Sequence, residues 1–383
     1  MQKYIDEAVS HFRALLTEQI EREKKMESET GATDYSKLDK IVIGFCPGDG
    51  IGPVISEQSK RVLEVLLQDE INSGKIEFKD IEGLTIENRV AQNKAIPDDV
   101  LAELKKCNVI LKGPTTTLKG GNLESANVAM RRELDLFANV RPVKVEKENI
   151  DWTFFRENTE GEYVLGSRGI KIPDTLSFDF KVTTKAGTER IARAAFDFAE
   201  KNGKKSVAIV TKANIMKKTD GSFSEIAHEV AKDYPEIKAE DYYIDIMTAN
   251  LINKDIRSNF EVFVLPNLYG DIITDEAAQI QGGVGTAGSA NIGDKYAMFE
   301  AVHGSAPKLI EMGLGERANP TSLLKASEMM IRHIGFISKA DILEKALNIC
   351  TESEKKVIAD GTAENATCKE FADYVISVIK TLL

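Results

Sequence analysis

Cysteine, histidine and tryptophan are all scarce in this chain: four, four and one among 383 residues. Cys46, Cys107, Cys350 and Cys368 form no close pair, so the sequence encodes no disulfide frame, and the spacing fits reduced thiols in a cytoplasm. His11, His228, His303 and His333 include no two at zinc-ligand spacing. No apolar run approaches the roughly 20 residues of a membrane span. The opening Met-Gln-Lys-Tyr-Ile-Asp-Glu lacks a signal peptide's apolar core, so the expected location is cytoplasmic. Positive charge is in deficit too: 50 Lys and Arg against 61 Asp and Glu leave −11. That balance excludes a nucleic-acid footprint. A small anionic substrate then needs a local group of arginines and lysines on an acidic background.

What is present suits one large or two medium domains, with 42% hydrophobic residues. Residues 1–38 read as a helical extension, with Ile5, Val9, Phe12, Leu15 and Leu16 at helical spacing, followed by a polar linker. A strand at 40–45 leads into Gly48-Asp-Gly-Ile-Gly-Pro53 and a helix. Glycines in that position suit either a tight turn or a backbone cradle for phosphate, but the pattern is not G-x-G-x-x-G. Strand and helix signals then alternate to the end of the chain, which argues an α/β protein with a largely parallel sheet. Neither internal repeats nor low-complexity tracts occur.

One stretch organises the rest. Val262–Leu265 reads as a buried strand ended by Pro266, with Asn267 and Gly270 forming a turn and Asp271 capping the next helix. Asp275 lies one helical turn on, so both carboxylates leave the same face. They serve either as a cap and a dipole partner or as oxygen ligands for a hard divalent cation. Cations are grouped elsewhere. Lys112 precedes Gly-Pro-Thr-Thr-Thr117, Ser125-Ala-Asn127 leads to Arg131, and Arg141 follows at a strand. Arg156-Glu-Asn-Thr-Glu-Gly-Glu-Tyr163 comes after an apolar strand at 152–155. Arginines at strand or helix ends suit bidentate clamps on carboxylates, though each alone also suits a structural ion pair. Lys212 sits just past a strand's carboxyl end, where α/β sites gather.

From about residue 39 to 382 the chain resembles the β-decarboxylating dehydrogenases that act on isocitrate, 3-isopropylmalate, homoisocitrate and tartrate. Five motifs carry the resemblance, in order. They are Gly48–Pro53, Arg131 with Arg141-Pro142, Arg156–Tyr163, Asn267-Leu-Tyr-Gly-Asp271 with Asp275, and His303-Gly-Ser-Ala-Pro307. The resemblance implies an isocitrate/isopropylmalate dehydrogenase-like fold, which is not a Rossmann fold: two α/β domains around a shared twisted sheet. It implies a large cofactor-binding domain, 39–136 plus 282–383, and a small domain at 137–281 for substrate, metal and dimerisation.

It also implies roles. Arg131, Arg141 and Arg156 hold the malate-like carboxylates, with Lys112, Ser125, Asn127 and Asn214 beside the substrate. Tyr163 is the catalytic acid, and Lys212, donated across the dimer, is the base. Asp271 and Asp275 bind Mg²⁺ or Mn²⁺ together with Asp245 from a second protomer, so the expected assembly is a homodimer, or a higher oligomer, with shared sites. Thr117, Glu300, His303, Gly304, Ser305, Ala306, Lys308 and Asn319 face the cofactor. Lys308-Leu309 stands where relatives using NAD carry an acid and those using NADP carry Lys-Tyr; the expectation is NAD, with NADP the alternative. Ser125 and Asn127 resemble the isocitrate enzymes, whose hydroxyl and amide meet a third carboxylate. Oxidative decarboxylation of isocitrate to 2-oxoglutarate is therefore expected first, and homoisocitrate, 3-isopropylmalate or tartrate next. Rival classes are a phosphoryl-transfer enzyme, for which no P-loop is present, and a non-catalytic regulatory subunit of an isocitrate dehydrogenase.

Overall fold

The computed structural model describes residues 2–28, 31–118, 123–166, 168–283 and 287–383. Its strands, in chain order, are β1 Ile41–Cys46, β2 Ile76–Asp80, β3 Val109–Lys112, β4 Ala138–Val145, β5 Ile150–Glu157 and β6 Ile170–Ile172. They continue with β7 Leu176–Phe178, β8 Ser206–Thr211, β9 Lys238–Tyr243, β10 Val262–Leu265, β11 Gly288–Ile292 and β12 Ala297–Ala301. The molecule is mixed α/β. It divides into two compact units, residues 32–136 with 281–383, and residues 1–31 with 137–280.

In the first unit the strand order is β2-β1-β3-β12-β11, parallel except for the antiparallel β11–β12 pair. In the second it is β4-β5-β10-β8-β9, parallel except for β4–β5. Strands in such sheets are covered on both faces, so they read as continuous apolar runs rather than alternating ones. β3 and β10 are buried throughout, as is β5 except at Asp151. The lone tryptophan, Trp152, is fully buried in the second core and donates its indole N–H to the Arg257 carbonyl at 3.0 Å. Beside it Phe154 and Phe263 stack with ring centroids 4.3 Å apart.

Gly48–Pro53 turns out to be a clasp between loops of its own unit. Gly48 and Gly50 adopt positive φ, and a Cβ would lie 2.2 Å from the Pro114 carbonyl oxygen or 2.0 Å from that of Ser305. Between them Asp49 accepts the backbone N–H groups of Ile86 and Thr116, each at 2.7 Å. The tight-turn reading of these glycines is the one realised.

The helix carrying the two aspartates corrects the sequence reading. It runs Asn267–Gln281, so Asn267–Gly270 is its first turn rather than a loop, and Asp271 lies inside the helix instead of capping it. Pro266, just ahead, has no N–H to lose and accepts from Gly270 N–H at 3.0 Å. The residue that looked like a turn former, Asn267, spends its side chain on tertiary contacts.

Candidate active site

Most of the residues singled out above stand at or just past the carboxyl ends of parallel strands. Lys112 ends β3, Lys212 follows β8, the Asn267 helix follows β10, and His303 follows β12. Open α/β sheets put binding groups there because strand ends release loops whose direction the sheet has already set.

In the 137–280 unit, three elements meet. Arg156 on β5 is 1% exposed and gives Nε and Nη2 to Asn267 Oδ1, at 2.9 and 2.7 Å, and Nη1 to Asp271 Oδ1. Tyr163 donates its hydroxyl to the other oxygen, Asp271 Oδ2, at 2.8 Å. Arg141 on β4 donates through Nη1 to Thr274 Oγ1 at 2.6 Å and to Asp275 Oδ1 at 3.0 Å. Its Nη2 lies 4.0 Å from Asp271 Oδ1. Gly270 makes this possible, since a Cβ there would fall 2.5 Å from Arg156 Cγ. A buried guanidinium (Arg156) and a largely covered one (Arg141) thus face outward-reaching acids: the side chains of Asp271 and Asp275 are 41% and 63% exposed.

Lys212 and Asp245 pair with each other, Nζ to Oδ1 at 2.5 Å. The Lys212 ammonium holds the Asp245 carboxyl below its ordinary range. Among the described residues no three of His, Cys, Asp or Glu gather around a point that could hold a metal. Asn214 is exposed two residues beyond Lys212.

In the other unit Arg131 is 8% exposed and reaches Glu300 Oε1 at 3.4 Å. Lys112, fully buried, donates to Glu300 Oε2 at 3.1 Å and to the Gly113 carbonyl at 2.9 Å, and Asn291 donates to Glu300 Oε1 at 2.8 Å. Burial alone raises the Glu300 pKa, but the Lys112 and Arg131 charges and these hydrogen bonds outweigh it and hold the group at about 2. Lys112 and Glu300, expected at the substrate and the cofactor, are here a buried ion pair bracing Arg131. Asn127 accepts from Thr115 Oγ1 at 2.9 Å, and Ser125 starts the helix Ala126–Glu133 without a side-chain cap bond.

The His303–Lys308 turn shares that unit. His303 Nδ1 meets the Gly304 carbonyl at 3.0 Å, its Nε2 is buried without a partner among the described residues, and burial lowers its pKa. Ser305 Oγ is 2.8 Å from Thr116 Oγ1. Ala306 takes φ 49° at the start of the helix Pro307–Glu311. Gly304, Thr117 and Lys308 are exposed, while Asn319 is committed to the Thr321 N–H at 2.9 Å.

Sequence reasoning passed over Asn267 as a ligand of Arg156, Thr274 as a ligand of Arg141, and Asn291 as a ligand of Glu300. Each is an uncharged residue whose partner is more than one hundred positions away or on the neighbouring strand, and local pattern carries no trace of it.

These features define an α/β protein in which buried or near-buried arginines engage acids, an arrangement suited to small anionic ligands. The chain belongs to the isocitrate/isopropylmalate dehydrogenase family, whose sequence model matches residues 42–375. It is 40% identical over 361 residues to an isocitrate dehydrogenase [NADP] of Rickettsia bellii, covering 89% of this chain and 70% of that one. It is 38% identical to a mitochondrial regulatory subunit of isocitrate dehydrogenase [NAD] from Dictyostelium discoideum, covering 91% and 94%. It is also 38% identical to a 3-isopropylmalate dehydrogenase of Archaeoglobus fulgidus, covering 89% and 100%. The isocitrate dehydrogenase structure from Methylococcus capsulatus superposes with TM-score 0.77 at 33% identity, over 89% of this chain and 99% of that one. Among the described residues no helix is long and apolar enough to cross a membrane.

Proposed function

We propose that this chain oxidises and decarboxylates a malate-type 2-hydroxy acid, with isocitrate the first-choice substrate, 2-oxoglutarate and CO₂ the products, and NAD the acceptor ahead of NADP. The observation that carries the reading is the constellation Arg141, Arg156, Tyr163, Asp271 and Asp275. Guanidinium forks recognise carboxylates in pairs, and both arginines now engage aspartates through the same donors a substrate would use. A substrate carboxylate taking those donors leaves Asp271 and Asp275 two neighbouring acids without counter-charge.

Oxygen donors of that kind fit Mg²⁺ or Mn²⁺, with Asp245 of a second copy completing the set in a homodimer. When bound, the ion supplies Lewis-acid polarisation at the substrate's hydroxyl and adjacent carboxylate. The nicotinamide supplies the hydride acceptor. The remaining work falls to side chains. Lys212 of that second copy, parted from Asp245 and in its neutral amine form, takes the hydroxyl proton, directly or through water, and the Tyr163 hydroxyl delivers a proton to the carbon that loses CO₂. Ser125 and Asn127 favour isocitrate, because an isopropyl group seated against them would bury a hydroxyl and an amide without polar partners from the ligand, at about 1–3 kcal/mol each.

A second reading is a regulatory role without turnover, favoured by the likeness to the regulatory chain from Dictyostelium discoideum. Purified chain assayed with isocitrate, homoisocitrate, 3-isopropylmalate and tartrate, against NAD and NADP with Mn²⁺, separates the two. Turnover with isocitrate highest is the expected result, and silence across the matrix overturns the enzyme reading.

A further inference from the structure

The N-terminal helix Gln2–Ser28 lies outside the family-matched span, yet it is bound into the 137–280 unit's network. Leu15 and Gln19 are buried, Glu18 pairs with Arg168 at 2.6 Å, and the rings of Phe12 and Phe180 lie 5.5 Å apart. Glu23 Oε1 accepts the Ala186 N–H at 2.9 Å, at the start of the helix Lys185–Lys201, where a carboxylate is favoured by the exposed N–H groups and the dipole. Arg22 reaches furthest. Its Nη1 is 3.1 Å from Glu160 Oε1 and its Nη2 is 3.4 Å from Thr159 Oγ1.

Glu160 needs that cation. It is 3% exposed and three residues from Glu157, a second buried acid. Glu157 accepts from Thr159 N, Thr159 Oγ1 and Glu160 N at 2.8, 2.7 and 2.6 Å, while Glu160 accepts from Thr184 N at 2.9 Å and from the Thr184 hydroxyl. Burial, then the nearby Glu160 charge, push the Glu157 pKa up to about 7. Arg190, bonded to Thr159 Oγ1 at 3.1 Å, is a second cation at the pair. Gly187 keeps the space open, since a Cβ would lie 2.4 Å from Glu160 Oε1.

From this pair the path to the site is short. The Glu160 carbonyl accepts from Asn267 Nδ2 at 3.0 Å, and Asn267 Oδ1 receives the two Arg156 bonds described above. Tyr163, at the end of the same loop, meets Asp271. We propose that Arg22 is a positioning residue: it fixes the 157–163 loop, and through it Asn267, Arg156 and Tyr163. The N-terminal helix thereby becomes part of the catalytic apparatus, an inference resting on the dehydrogenase reading.

The test compares the full-length wild type with Arg22→Met, Arg22→Lys and Glu18→Gln, the last removing an exposed tie of the same helix. Amide hydrogen exchange over 157–163 and steady-state kinetics are measured for each. The expected result for Arg22→Met is exchange about tenfold faster in that loop and kcat lower by about tenfold, as loss of a charge-assisted tie implies. Arg22→Lys recovers part of both, and Glu18→Gln changes neither. Loop exchange and kcat within about twofold of wild type in Arg22→Met overturn the proposal, as does an equal loss in Glu18→Gln, which would mean that the helix is merely docked. If the wild type has no turnover, the dehydrogenase reading falls, while the exchange data still decide whether Arg22 fixes the loop.

Discussion

Tyr163 and Arg156 grip the same carboxylate from two sides: the Tyr163 hydroxyl bonds Asp271 Oδ2 at 2.8 Å, and Arg156 Nη1 bonds Oδ1. The guanidinium carbon also lies 5.3 Å from the Tyr163 ring centre. An acid, a cation and a phenol so interlocked form a small cooperative unit in which each group orients the next.

Tyr163→Phe keeps the ring over Arg156 and removes only the hydroxyl. Stability should change by no more than about 1 kcal/mol, whereas turnover should fall by about 10²-fold or more if the phenol is the general acid. Steady-state kinetics beside urea denaturation make the comparison, and near-normal turnover removes Tyr163 from the mechanism.

Asp275→Asn changes a part-exposed group, so its stability cost should stay within about 0.5 kcal/mol. Its effect should appear in cation affinity. Manganese titration followed by electron paramagnetic resonance should give binding weaker by at least about tenfold, because ligand charge sets the affinity of hard cations. Unaltered manganese binding would take Asp275 out of the ion's coordination.

Glu300→Gln leaves the fully buried Lys112 ammonium beside Arg131 without its counter-charge. Breaking a buried pair from one side costs about 3–5 kcal/mol, and urea denaturation at neutral pH should register a loss of that order. A loss under about 1 kcal/mol would mean that the Glu300 charge does not hold this part of the core.

Glu157 gives a pH signature. Its folded pKa, raised to about 7, lies above the ordinary 4.5, so between these values the folded chain binds more protons than the unfolded one. The stability that Glu157 contributes is complete below about 4.5 and is lost as pH rises through about 7. The buried His333, lowered to about 4, acts oppositely over much of that range, so the measurement is the difference between Glu157→Gln and wild type. Relative stability of the variant should climb from about pH 4.5 to 7 and level off beyond. A flat difference would show that Glu157 does not titrate there.

Local chemistry alone carried a good deal of this protein. Alternating apolar runs and helical spacings sufficed for an α/β chain, because burying a strand on both faces requires an uninterrupted apolar run such as Val262–Leu265. The helical period placed Asp271 and Asp275 on one face, and the motif set reached the dehydrogenase family. The start of their helix was misjudged, because Asn267 is a turn former by propensity and was recruited to Arg156 by a partner 111 positions away. Lys112, Glu300 and Arg22 could be assigned their neighbours only by the folded chain. An ion pair is decided by burial and distance, and neither exists until strands remote in sequence lie side by side.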